Sequence, residues 1–293
     1  MTTREQWIDG ARPRTLPASI APVLVGTAIA YYEGSVRPVI ALCALVVAVA
    51  FQVGANYSND YSDGIRGTDD TRVGPVRLVG QGLATASAVK RAAFMAYGVG
   101  ATAGLLMVAL SGVWLLIPLG LASIAAAWFY TGGNVPYGYR ALGEVFVFVF
   151  FGLVAVVGTA TSQTERLTTL GMLGGVACGA LSCAILVANN LRDIEQDAKV
   201  GKRTLAVVLG DSGTRELYRT CILVAYAMPV VMTTMTDGPR FAYISLLSLL
   251  YARRPLMAVA GGAHGRELIP VLVGTSRMLL FFAFYLTLGI SAS

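Results

Sequence analysis

Residues 38–63 read PVIALCALVVAVAFQVGANYSNDYSD, an apolar run that passes into Asn, Tyr, Ser and Asp with no proline between the two parts. About 20 apolar residues suffice to carry a helix across the roughly 30 Å of hydrocarbon in a bilayer. If the helix continues into the polar part, Asn56, Asn59, Asp60 and Asp63 stand at i, i+3, i+4 and i+7 and share one face. The stretch predicts a membrane-spanning helix that ends in a stripe of four oxygen-bearing side chains.

The same pattern recurs downstream. Residues 169–190 form another apolar run, followed by Asn189-Asn190-Leu191-Arg192-Asp193-Ile194-Glu195-Gln196-Asp197. Asn189, Asp193 and Asp197 repeat every fourth residue and share a face, whereas Glu195 points elsewhere. Arg192 has Glu195 or Gln196 as a local partner. Two acidic stripes opposed in a low-dielectric setting repel unless cations offset them. Hard cations such as Mg²⁺ take oxygen ligands, commonly one or two carboxylates with substrate phosphates and water. Each stripe precedes a basic loop: Arg66, Asp69, Asp70, Arg72 and Arg77 after the first, and Lys199, Lys202, Arg203 and Thr204 after the second. Carboxylate, metal and basic side chain together form a clamp for a diphosphate, with Arg66, Arg72, Lys202 and Arg203 as its cations.

Working outward, the rest of the chain is also apolar. The 293 residues are 56% hydrophobic and 13% charged, with a mean hydropathy of +0.67, whereas soluble domains carry about 25% charged residues. Spans are expected at 15–33, 38–58, 92–112, 114–130, 143–161, 169–190, 217–236, 239–257 and 268–290. The eighth is interrupted by Arg253, Arg254 and Pro255. The fold class is thus all-α: a polytopic membrane protein of nine transmembrane helices. The chain reads as a single domain, 1–293, with pseudo-repeat halves of about 1–140 and 141–293. Residues 1–14 are too charged for a signal-peptide core, so the N-terminus is expected to be retained.

Of the 22 Lys and Arg residues, 18 fall on the side of the N-terminus, three (Arg37, Arg166, Arg240) on the other, and Arg277 lies inside the last span. Positively charged loops stay cytoplasmic, which places the N-terminus and both stripes on the cytoplasmic side of the cell membrane. The net charge of +6 therefore reflects topology, not nucleic-acid binding. Cys43, Cys178, Cys183 and Cys221 lack CxxC spacing and read as packing residues. His264, the only histidine, excludes a multi-histidine metal or haem site. Trp7, Trp114, Trp128, Tyr31 and Tyr32 lie near span ends as interfacial anchors.

Asn59-Asp60-x-x-Asp63 together with Asp193-x-x-x-Asp197 resembles the paired aspartate-rich motifs of the UbiA-type intramembrane prenyltransferases. The resemblance covers nearly the whole chain. It includes Trp7, Arg12-Pro13-Arg14-Thr15-Leu16, Tyr130-Thr131-Gly132-Gly133, Pro136-Tyr137-Gly138-Tyr139-Arg140 and Gly143-Glu144. The run from Asn56 to Asp69, with Gly74-Pro75-Val76-Arg77, is most similar to the branch that prenylates 1,4-dihydroxy-2-naphthoate for menaquinone synthesis. The broader family pattern places an aspartate at position 67, where Gly67 stands; Asp69 and Asp70 are the next candidates.

The resemblance implies helices around a central cavity open sideways to membrane lipids. It also implies Mg²⁺ held by Asn56, Asn59, Asp60, Asp63, Asp193 and Asp197, with Asp60, Asp63, Asp193 and Asp197 serving catalysis. The implied partners are a polyprenyl diphosphate and an aromatic acid, joined with loss of pyrophosphate and CO₂ to give demethylmenaquinone. Tyr130, Tyr137 and Tyr139 would shield an allylic cation, Arg140 would hold the diphosphate or the aromatic carboxylate, and Asn189 would border the acceptor.

Other readings are an acceptor such as 4-hydroxybenzoate, a CDP-alcohol phosphotransferase and a cation-coupled transporter. The phosphotransferase motif is a single compact run that Asp63-Gly64 does not continue. Transport favours acidic groups at the bilayer midplane rather than at helix ends.

Overall fold

The computed structural model describes residues 2–67, 76–235 and 237–293. These are helical apart from turns and one isolated bridge between Arg140 and Arg203. In chain order they form α1 (Arg4–Gly10), α2 (Pro17–Tyr32), α3 (Pro38–Arg66), α4 (Ala86–Ser111) and α5 (Leu116–Phe129). Next, α6 (Gly143–Val147) runs through a π-helical stretch, Phe148–Val154, into α7 (Ala155–Thr164). Then come α8 (Thr169–Lys199), α9 (Leu205–Thr234), α10 (Leu249–Ala260) and α11 (Ile269–Ser291).

Each expected span contains helix, but the helices are unequal. Among the described residues six are long and apolar enough to cross a membrane: Pro38–Arg66, Ala86–Ser111, Gly143–Thr164, Thr169–Lys199, Leu205–Thr234 and Gly265–Ser291. Arg4–Thr15 and Pro17–Tyr32, bent by 50°, make a seventh when taken as one span. Leu116–Phe129 is apolar but shorter. The expected eighth span is broken, though not at Arg253-Arg254-Pro255. A 3₁₀ stretch, Ala242–Ser248, precedes α10, which passes through all three residues. The arginines face outward and Pro255 is buried, so close to α11 that a Cβ on Gly274 would lie 2.8 Å from its Cγ. Helix α9 starts at Leu205 rather than 217 and is kinked at Gly210, where φ is +71°.

Two helices position the polar clusters. Helix α3 continues without interruption from its apolar part through Asp63, as its sequence requires, and stops at Gly67. Gly67 adopts φ +70° and its N–H bonds the Asp63 and Gly64 carbonyls, a left-handed cap that glycine accepts without steric cost. Gly67, where the broader family pattern has aspartate, thus serves as a helix cap. Helix α8 is the most enclosed of the candidate spans, with 72% of its apolar window buried against 33% for α3.

Helix α8 packs on the π-helical stretch through glycines. A Cβ on Gly152 would lie 2.5 Å from both the Gly175 carbonyl and the Gly179 Cα. These are backbone atoms that cannot step aside, and small residues allow such approach between membrane helices. Gly152→Leu is expected to lower the melting temperature of the detergent-solubilised protein, by an overpacking cost of about 1–3 kcal/mol. An unchanged melting temperature would mean that the helices separate freely here.

Candidate active site

The four polar residues at the end of α3 span an arc of roughly 100° at 100° per residue, and the two edges of that arc meet different neighbours. On one edge, Asn56 Nδ2 donates to the Ala11 carbonyl (2.8 Å) and to Thr15 Oγ1 (3.0 Å). Asp60, fully buried, accepts the backbone N–H groups of Leu78 (2.7 Å) and Val79 (3.0 Å), one on each oxygen. The Arg12 guanidinium lies within electrostatic reach of it. On the other edge, Thr131 donates to Asn59 Oδ1 (2.9 Å) and Tyr139 donates to Asp63 Oδ1 (2.9 Å). One edge of the stripe grips the N-terminal segment and the 77–79 turn, and the other grips the 131–139 loop.

That loop is ordered by short-range contacts. Gly138 N–H bonds the Tyr130 carbonyl (3.0 Å), and exposed Arg66 donates to the carbonyls of Thr131 and Gly133. Tyr137 donates to the Ala126 carbonyl (2.7 Å) and stacks on Phe146 at 3.9 Å. Burial pushes its phenol above the ordinary value.

The end of α8 approaches from the other side. Arg192 binds both oxygens of Asp193, at 2.6 and 2.7 Å, and also donates to Asn189 Oδ1 (2.9 Å). Its partners are therefore Asp193 and Asn189, not the expected Glu195 or Gln196, because Arg192 reaches back along the helix while Glu195 faces outward. Lys202, also buried, returns toward α8: its N–H bonds the Asp197 carbonyl (2.8 Å) and its Nζ lies 3.6 Å from Asp197 Oδ1.

Tyr139 joins the two stripes. Its hydroxyl is on Asp63, Lys202 Nζ lies 5.2 Å from its ring centroid and Arg66 Cζ lies 5.7 Å from it. A cation over an aromatic face is attracted to it, so the ring links the Asp63 edge to the Lys202–Asp197 pair. Part of the charge balance that the sequence assigned to metal cations is met by Arg192, Lys202 and Arg12.

Below this polar cap lies a cavity of about 440 Å³, walled by α2, α3, α4, α5 and the α6–α7 span. Its lining is mainly aliphatic and aromatic, including Phe146, Phe150 and Phe151; Gln52, Asn56, Asn59, Tyr130 and Tyr137 bring polar groups to it. Asn56 and Asn59 thus belong both to the acidic stripe and to the cavity wall. An elongated apolar molecule with an anionic head fits this combination.

The sequence and the fold match known proteins. Residues 19–262 match the UbiA prenyltransferase family. The chain belongs to that family. It is 51% identical to 1,4-dihydroxy-2-naphthoate octaprenyltransferase of Mycobacterium tuberculosis over 97% of this chain and 96% of the relative. The Escherichia coli protein of the same name is 37% identical, over 91% and 87% respectively. The fold matches a UbiA homolog from Archaeoglobus fulgidus bound to GPP and Mg²⁺, with a TM-score of 0.73, 12% identity, and coverage of 98% of this chain and all of that one. The protein is a multi-pass membrane prenyltransferase of the UbiA family.

Within this candidate site, Asp60, Asp63, Asp193, Asp197, Lys202, Tyr139 and Arg66 lie in one polar cap, while Tyr130 and Tyr137 border the cavity beneath. Arg140 and Arg203 are exposed and meet through their backbones. Asp69, Asp70 and Arg72 lie outside the described residues. The sequence carried Thr131 only within a motif of the resemblance, without a role, and the Leu78 and Val79 amides have no residue-type signature. Among the described residues no three His, Cys, Asp or Glu side chains form a ready metal-binding group. The donor set, buried carboxylate and amide oxygens, still has the chemistry Mg²⁺ requires; binding it means exchanging Tyr139, Arg192 or backbone N–H partners for the ion.

Proposed function

We propose that this chain transfers a polyprenyl group from polyprenyl diphosphate to 1,4-dihydroxy-2-naphthoate. The observation that carries this reading is its identity, over almost its entire length, to a relative of that name. The cavity under a polar cap supports it: the tail occupies the apolar chamber, open sideways to lipid within a bundle of nine membrane helices, and the diphosphate meets the cap. The N-terminus and the cap face the cytoplasm across the cell membrane, as the positive-inside bias indicates.

Asn56, Asn59, Asp60, Asp63, Asp193 and Asp197 supply the oxygen donors for Mg²⁺, which when bound offsets charge on the departing diphosphate. Lys202, Arg66, Arg72 and Arg203 neutralise the rest of that charge. The allylic C–O bond breaks with its electron pair leaving on pyrophosphate. Tyr130, Tyr137 and Tyr139 present π-faces or phenol dipoles to the allylic cation, while Arg140 and Asn189 orient the acceptor. The ring carbon that bears the carboxylate supplies the pair for the new C–C bond. Loss of that carboxylate as CO₂ returns a pair to the ring and restores aromaticity, giving the demethylmenaquinone skeleton at its naphthalenediol level.

Purified protein supplied with Mg²⁺, a long polyprenyl diphosphate and dihydroxynaphthoate is expected to yield a product whose mass equals the sum of prenyl group and acceptor acid less CO₂ and one hydrogen. A prenylated naphthoate that retains the carboxylate would overturn the decarboxylation, and prenylation of 4-hydroxybenzoate in place of the naphthoate would overturn the acceptor assignment.

A further inference from the structure

Glu144 opens α6 directly after the Tyr139 loop and is almost fully buried, 7% exposed. It does not line the cavity; its Oε1 accepts Asn190 Nδ2 on α8 at 2.8 Å. Asn190 precedes Asp193 by three residues and Asp197 by seven, so it lies at the edge of the same helix face, and it is itself 3% exposed. The Glu144 carbonyl receives Cys183 Sγ, also on α8, at 3.1 Å. One residue therefore ties the first turn of α6 to α8 through both side chain and backbone. Lys202 is within electrostatic reach of the same carboxylate.

A buried carboxylate is a costly way to hold two helices together, because the charge loses its water. Its Oε2 has no hydrogen-bond partner among the described residues, which adds to that cost. Apolar packing would join α6 and α8 at lower expense. A charge-assisted acceptor instead fixes the Asn190 amide in direction as well as distance. The two helices held in this way carry the two halves of the cap: α6 anchors the end of the loop bearing Tyr139, and α8 carries Asp193 and Asp197.

We infer that Glu144 is a positioning residue which, through Asn190, sets the register of the Asp193–Asp197 face of α8 against Tyr139 and Asp63, and so tunes binding of the diphosphate with its metal ion. This deepens the proposed function and rests on it. Groups that orient the residues around a metal typically change affinity or activity by about 10–100-fold when lost.

The test uses full-length protein in detergent and four variants: Glu144→Leu, which keeps side-chain bulk without an acceptor, Asn190→Ala, their double mutant and Glu144→Gln, which retains an oxygen acceptor. Three quantities are measured: KM and kcat for polyprenyl diphosphate at fixed Mg²⁺, and the pyrophosphate concentration giving half-maximal thermal stabilisation in the presence of Mg²⁺. Glu144→Leu and Asn190→Ala are each expected to raise both KM and the pyrophosphate midpoint by about tenfold. The double mutant should be no worse than either single one, and Glu144→Gln should stay within about threefold of wild type. A merely structural role would move melting temperature and leave the pyrophosphate midpoint alone. The inference is overturned if Glu144→Leu keeps the wild-type midpoint, if Glu144→Gln is as impaired as Glu144→Leu, or if the single effects add. Wild-type protein that is stabilised by Mg²⁺ with pyrophosphate but does not prenylate dihydroxynaphthoate would refute the acceptor reading and leave this test intact.

Discussion

Asp60→Ala and Asp193→Ala are each expected to abolish turnover while leaving the bundle folded. Asp60 holds the 77–79 turn through two backbone amides, and its loss strands both donors at a cost of about 1–3 kcal/mol each. Asp193 engages Arg192 through both oxygens, and its loss leaves a guanidinium beside α8 with Asn189 as its remaining named partner. Asp60 lies outside the large apolar core and Asp193 at its margin, just past Leu191, so helicity and monodispersity should survive. Turnover should not, because each variant removes an anionic oxygen pair from the proposed Mg²⁺–diphosphate site. The measurements are product formation at saturating substrates, circular dichroism and size-exclusion profile. Normal turnover in both variants would sink the metal assignment; loss of helicity would show that the carboxylates hold the bundle itself.

What the sequence made legible was local and periodic. The continuity of α3 through Asn56 and Asp63 follows from an unbroken helical pattern, and the burial of Asp193 and Asp197 with Glu195 exposed follows from the same period. Span edges were less legible, because apolar composition marks where lipid is tolerated and not where a helix bends. Gly210 and the Ala242–Ser248 stretch set those bends through backbone geometry. The inner bonding of the site was hidden for another reason. Thr131 on Asn59, the Leu78 and Val79 amides on Asp60, and Asn190 on Glu144 join residues distant in sequence, and a backbone amide has no residue type to read. Arg192 was visible, but its partner depends on a rotamer that spacing does not specify. The cavity required five elements to be brought together before Asn56 and Asn59 appeared in its wall.

Lys202→Met should produce the second large effect, a fall in kcat/KM for polyprenyl diphosphate of about a hundredfold, or ~2.7 kcal/mol of transition-state stabilisation. Lys202 is buried beside Asp197 and faces the Tyr139 ring, so its charge acts where solvent screening is weak. As the allylic C–O bond breaks, negative charge accumulates on the diphosphate, and a fixed cation stabilises that state more than the ground state. Methionine preserves the length of the side chain and removes the charge, which separates electrostatics from packing. The loss should therefore appear in kcat as well as KM for the diphosphate substrate, with KM for the acceptor little changed. Lys202→Arg should recover only part of the activity, because a planar guanidinium cannot reproduce a compact ammonium in the same narrow place between ring and carboxylate. Wild-type kcat/KM in Lys202→Met would remove Lys202 from the diphosphate clamp. A defect confined to acceptor KM would instead place its charge against the aromatic carboxylate.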